Sequence, residues 1–169
     1  IMLMDADAVA SRHVIYGGTG TVAPIDVSKD GRTILIEQRE SIARNQYLVL
    51  DSRSGRAVRI LPELADAAFR NGRFLGDGSR IALTLVGKKG IRSLAIFDVA
   101  TGKFTYPFGE GDWDVELFDV APDENRIAVS MNIDGFSRVA ILDLERPEAP
   151  RPIPVPDGMV FKLSFTDDG

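Results

Sequence analysis

The sequence contains no cysteine, and in 169 residues it has a single histidine, His13, and a single tryptophan, Trp113. Without cysteine there is no disulfide, no thiolate metal site and no cysteine nucleophile. No stretch approaches the roughly 20 consecutive apolar residues of a membrane-spanning helix, so no membrane partner is expected. There is no G-x-S-x-G run to present a nucleophilic serine. Positive charge is also scarce: 20 Lys and Arg face 25 Asp and Glu, a net charge of −5. Phosphate binding needs a basic face, so nucleic acid is not an expected partner. What remains is ordinary for a globular protein with a real core, at 44% hydrophobic and 27% charged residues.

What the chain does have is internal repetition. Val27-Ser-Lys-Asp30-Gly-Arg-Thr-Ile34, Phe74-Leu-Gly-Asp77-Gly-Ser-Arg-Ile81 and Val120-Ala-Pro-Asp123-Glu-Asn-Arg-Ile127 align on an aspartate, and Phe165-Thr-Asp-Asp168-Gly169 begins a fourth copy. The intervals between these aspartates are 47, 46 and 45 residues. A second marker keeps the phase: Asp51, Asp98 and Asp143 close apolar runs 21, 21 and 20 residues after the first. Four short apolar runs per period of this length are what propeller blades produce.

Each unit reads as strands A to D. Strand A (24–28, 73–75, 116–121, 161–166) ends at a tight turn, where Gly31 and Gly78 tolerate positive φ and Pro122 presets φ. Strand B (33–38, 80–86, 126–131) follows at once, then strand C (47–51, 94–98, 139–143) and strand D (57–61, 103–106). In the third copy, Pro152 and Pro154 suit an edge strand. The runs are nearly continuous rather than alternating, which suits sheets covered on both faces. Only 61–69 has a helical look, and it reads as a loop with at most one turn of helix.

The expected fold is therefore all-β, a partial β-propeller across 1–169. Its parts are strand D of a preceding blade (13–16), blades at 22–61, 69–106 and 115–155, and strand A of a following blade (160–166). Propellers close with about four to eight blades, so a longer polypeptide is expected. Assembly of several such arcs into one ring, through open blade edges, is the alternative. Compartment, cytoplasmic or periplasmic, stays open.

Several segments have chemical overtones. His13 begins a strand pattern, and nothing frames a serine and an acid around it as a triad requires. Gly17-Gly-Thr-Gly20 lacks the helix and lysine of a phosphate cradle and reads as a link between blades. Ser28 to Thr33 has the wrong glycine spacing for the Asp-box of sialidase propellers. A single tryptophan argues against a quinoprotein propeller, and no cofactor or metal is expected. Asp30, Asp77, Asp123 and Asp168 read as caps on turn amides. The functional candidate is the acidic loop Glu110-Gly-Asp112-Trp113-Asp114-Val-Glu116. Its carboxylates and indole suit a cation or a peptide's α-amino group. Asp134 and Arg138, in the loop Asn132-Ile-Asp-Gly-Phe-Ser-Arg138, share the same rim by topology. Arg39, Arg44, Lys88, Lys89 and Arg92 lie on equivalent loops, so long charged loops gather at one end of the arc.

The turn Ser28-Lys-Asp-Gly-Arg-Thr-Ile34, the strand-turns Leu48 to Gly55 and Ile96 to Lys103, and above all Trp113-Asp-Val-Glu-Leu-Phe-Asp-Val-Ala-Pro-Asp123 with Asn132 to Arg138, carry a family resemblance. They resemble the N-terminal propeller of the prolyl oligopeptidase family of serine peptidases, in its bacterial members. The resemblance implies a non-catalytic propeller that gates short peptides to a hydrolase domain of the same polypeptide. The Asp-Gly turns are shared with the propeller of the Tol system, which leaves a protein-interaction propeller without enzymatic activity as the alternative.

Overall fold

The computed structural model describes residues 1–41, 44–60, 69–87, 89–108, 112–147 and 149–169. Three four-stranded antiparallel meanders follow one another along the chain. The first blade is β3 (Thr21–Val27), β4 (Thr33–Ser41), β5 (Arg44–Asp51) and β6 (Ala57–Arg59), after an N-terminal hairpin of β1 (Met2–Asp5) and β2 (Ala8–Val14). The second is β7 (Phe69–Leu75), β8 (Arg80–Val86), β9 (Arg92–Asp98) and β10 (Phe104–Thr105). The third is β11 (Asp114–Val120), β12 (Arg126–Ile133), β13 (Phe136–Asp143) and β14 (Arg151–Ile153).

Period-2 geometry explains why the apolar runs are continuous. Along β4, Ile34 and Ile36 face the N-terminal hairpin, with Leu48 and Leu50 beside them, while Leu35 faces the second blade. Ile81, Leu83 and Leu85 of β8 meet Leu35, Tyr47 and Val49, and Ala82, Leu94 and Ile96 turn the other way onto Ile127, Val129 and Leu142. The sheets of the first two blades therefore bury both faces. Residues such as Leu83 and Ile127 are fully enclosed, each contributing about 1.5–3 kcal/mol by burial.

The tight turns are built as their residues require. Asp30 accepts the Arg32 amide at 3.0 Å, Asp77 the Ser79 amide at 2.9 Å and Asp123 the Asn125 amide at 3.0 Å. Asp51 and Asp98 cap the next turn in the same way, through the amides of Ser54 and Thr101. Pro152 sits on the edge strand β14, opposite Ala140.

Two edges of the arc differ from expectation. The strand expected at 13–16 runs instead over Ala8–Val14, and it pairs with β1, which was not expected. The missed signal was Asp5, 46 residues before Asp51, whose carboxylate accepts the Asp7 amide at 3.0 Å just as Asp51 accepts that of Arg53 at 3.1 Å. At the other end, 160–166 forms no ladder, because no strand runs beside it among the described residues. It lies against the third blade instead. The Val160 amide donates to Ser137 Oγ at 2.9 Å and the Phe165 amide to Asp119 Oδ2 at 2.8 Å. The segment 61–68 lies outside the described residues.

Candidate functional site

Of the described residues singled out in sequence, those at the start of β11 and in the β12–β13 turn lie at one end of the third blade. Asp114 pairs in register with Asn132, and Met131 with Arg138, so the start of β11 and the β12–β13 turn share that end. Their chemistry is used locally. Asp114 accepts the backbone amide of Arg92 at 2.6 Å, joining the second blade to the third. Glu116 is the extra residue where the β11–β12 register shifts, and it accepts from Asn132 Nδ2 at 3.1 Å. Arg138 bonds Asp157 at 2.9 Å and lies over the Phe136 ring. Asp112 faces Lys89 across 3.8 Å. Asp134 is an exposed turn residue at φ 51°. Trp113 is 42% exposed rather than packed between blades. Glu110 and Lys88, and the side chain of Arg44, lie outside the described residues. Asp112, Trp113, Asp114, Glu116, Asp134 and Arg138 line none of the clefts found among the described residues, whereas Arg39 lines one, and no group of three His, Asp or Glu suited to a metal occurs among the described residues. His13 is exposed, with Nδ1 3.2 Å from the Ser11 carbonyl.

A cleft of about 530 Å³ opens between the inner strands of the first two blades, lined among others by Glu37, Arg39, Tyr47, Arg70 and Arg73. Its base is the stacked pair Tyr47 and Phe69, with ring centroids 5.1 Å apart. Burial pushes the Tyr47 phenol well above its usual range, reinforced by the nearby Glu37 carboxylate. Glu37 is occupied: Arg39 holds both its oxygens, at 2.9 and 3.0 Å, and Asn45 Nδ2 donates to it at 2.7 Å. Arg70 and Arg73 have no carboxylate within salt-bridge distance among the described residues.

The seam beside this cleft is a repeated device. Asn45 clasps the Phe69 backbone with both halves of its amide, donating to the carbonyl at 2.7 Å and accepting from the amide at 3.0 Å. Arg92 and Ser137 hold the same position in the next two blades, six residues before the strand C aspartate; the Arg92 amide donates to Asp114 at the start of β11, and Ser137 Oγ accepts from the Val160 amide of the segment that follows the third blade. A second bond lies further along: Asp26 accepts the Phe74 amide at 2.8 Å, as Asp119 accepts that of Phe165. The second blade departs here, with Arg73 where the others have aspartate. Aligning the repeats at four residues before the turn aspartate is the signal that singles Arg73 out.

Four-stranded meanders stacked face to face, with strand A of the first blade latched to strand A of the second, decide the architecture. It is a partial β-propeller. The chain matches no protein-family model, and no curated protein matches it in sequence. Solved structures do match in fold. A prolyl endopeptidase superposes with a TM-score of 0.73 at 13% identity, over 94% of this chain and 24% of that one. Puromycin hydrolase gives 0.69 at 17% identity, over 87% and 24%. TolB from Acinetobacter baumannii gives 0.64 at 14% identity, over 92% and 37%. The chain thus spans 24–37% of the length of these proteins, and at such identities the likeness establishes the propeller fold.

Proposed function

We propose that this chain is the non-catalytic propeller portion of a serine peptidase resembling the prolyl oligopeptidase family, where it shapes the access of short peptides to a hydrolase domain outside residues 1–169. The observation that carries this reading is the superposition on a prolyl endopeptidase over 94% of the chain. The chain's own chemistry agrees with a passive role. The sequence has no nucleophile elbow, its one histidine is exposed with Nδ1 against the Ser11 carbonyl, and the turn aspartates Asp30, Asp77 and Asp123 accept from backbone amides. Peptide-bond hydrolysis through a serine acyl-enzyme would belong to the partner domain.

The test has two arms. The purified chain is offered aminoacyl and peptidyl chromogenic substrates, and no turnover is expected. The product of the whole reading frame is offered the same substrates, and cleavage of short peptides is expected. Turnover by the chain, or none by the whole product, overturns the reading. The TolB superposition favours a second reading, a propeller that binds another protein with no hydrolase attached. Absence of cleavage by the whole product, together with a stable complex with another protein, would select it.

A further inference from the structure

We propose that the inner wall around β7 of the second blade is a binding site for the carboxylate of a short peptide, centred on Arg70 and Arg73. The inference rests on the peptide-access reading for the kind of ligand, and on the geometry of β7 for the site.

In an uninterrupted strand, residues three apart point to opposite faces. In β7, Arg70 pairs with Thr84 and Arg73 with Ala82, two positions apart on β8, so the two arginines share a face. The cause is the register shift between Arg70 and Gly72, where Asn71 takes φ 49° as the inserted residue. Bulges of this kind re-aim side chains. Gly72 then lets the strand press on the first blade, since a Cβ there would lie 2.5 Å from Leu35.

The charge around this wall is opposite to that of the molecule. A smaller hollow of about 150 Å³ adjoins the main cleft, shares Asn71, Gly72 and Arg73 with it, and adds Phe118, Phe161 and Lys162. Among the described residues, those lining the two hollows include four cations, Arg39, Arg70, Arg73 and Lys162, and a single carboxylate, Glu37. Arg39 and Asn45 occupy that carboxylate. The surplus positive charge therefore stands on Arg70, Arg73 and Lys162, in a chain whose net charge is −5. Two guanidinium groups on one face suit a carboxylate, which they bind by charge-assisted hydrogen bonds. Phe161, 87% exposed beside Lys162, offers apolar surface to the neighbouring side chain of the ligand.

The probe is the N-acetylated tripeptide Ala-Ala-Phe with a free C-terminus, compared with its C-terminal amide and with N-acetylated Ala-Glu-Phe amide. Binding to the chain is measured by calorimetry. The free acid, or the glutamyl amide, is expected to bind at least tenfold more tightly than the neutral amide. Arg73→Gln is expected to abolish that difference, and Arg73→Lys to restore part of it. Both positions are exposed, so an unchanged thermal midpoint will show that the variants fold; Arg70→Gln provides the same comparison at a second site. Equal binding of all three probes, or an Arg73→Gln chain that keeps the preference, overturns the proposal. The outcome separates from the function test. Carboxylate binding by a chain whose whole product cleaves nothing keeps the site and removes the peptidase. Cleavage without carboxylate preference does the reverse.

Discussion

Lys29 Nζ lies 2.5 Å from Glu124 Oε1, joining the inner turn of the first blade to that of the third across the second. Glu124 takes φ 57° at the place where the first two turns use Gly31 and Gly78, at 67° and 86°. A left-handed conformation in a non-glycine residue costs roughly 1–2 kcal/mol, and an ion pair of this exposure returns about 0.2–1 kcal/mol. Glu124→Gly should therefore leave stability within about 1 kcal/mol of the parent, the lost pair being offset by the relaxed backbone. Glu124→Val should be destabilised by ~2 kcal/mol relative to Glu124→Gly, because a β-branched residue is strained there. Urea unfolding of the two variants checks the order.

The seam between the first two blades depends on the Asn45 amide. Asn45→Ala leaves both the Phe69 amide and carbonyl without that partner. The expected loss is about 1–3 kcal/mol, at the level of an unsatisfied buried group. Asp26→Ala should behave similarly through the Phe74 amide, and Asp26→Asn, which keeps an acceptor, should recover most of the loss. Equal stability of Asp26→Ala and the parent would show that the second bond is dispensable.

How much of this was legible in sequence depends on how local each interaction is. Asp30, Asp77 and Asp123 could be read because a turn fixes its aspartate within a few residues of the amides it caps. The blades followed from their phase. The Asn45 latch could not be read, since its partner is 24 residues away and the equivalent positions hold chemically unlike Asn45, Arg92 and Ser137. Asp114 drew notice as an acid near a tryptophan, and it proves to be the acceptor of the Arg92 latch. Arg70 and Arg73 escaped because only the bulge puts them on one face. Asp5 keeps the phase of Asp51, 46 residues before it.

Gly72 makes a packing prediction. Gly72→Ala would place Cβ 2.5 Å from Leu35 and 3.2 Å from Tyr47, both buried. Overpacking of this kind destabilises by about 1–3 kcal/mol. Gly17→Ala, with nothing within 4 Å, serves as the neutral control. Denaturant midpoints of the two variants should separate clearly.

Acid should weaken the turns. Asp30, Asp51, Asp77, Asp98, Asp123 and Asp168 are all held below the usual carboxylate range, by turn amides first at Asp30, Asp51, Asp98 and Asp123 and by hydroxyls first at Asp77 and Asp168. A depressed folded pKa gives stability that is complete above the unfolded value of about 3.9 and is lost as pH falls through the folded values. Urea midpoints should be nearly level between about pH 7 and 5 and fall steadily below about pH 4. Asp77→Asn should flatten that fall. A midpoint unchanged at about pH 3 contradicts the assignment.

The central proposal is that residues 1–169 are the nucleophile-free propeller of a longer serine peptidase. Labelling the product of the whole reading frame with a fluorophosphonate, followed by mapping of the modified residue, tests it most directly. The account predicts one labelled serine outside residues 1–169 and no label on the chain alone. A labelled serine within residues 1–169, or no label anywhere in the product, would contradict it.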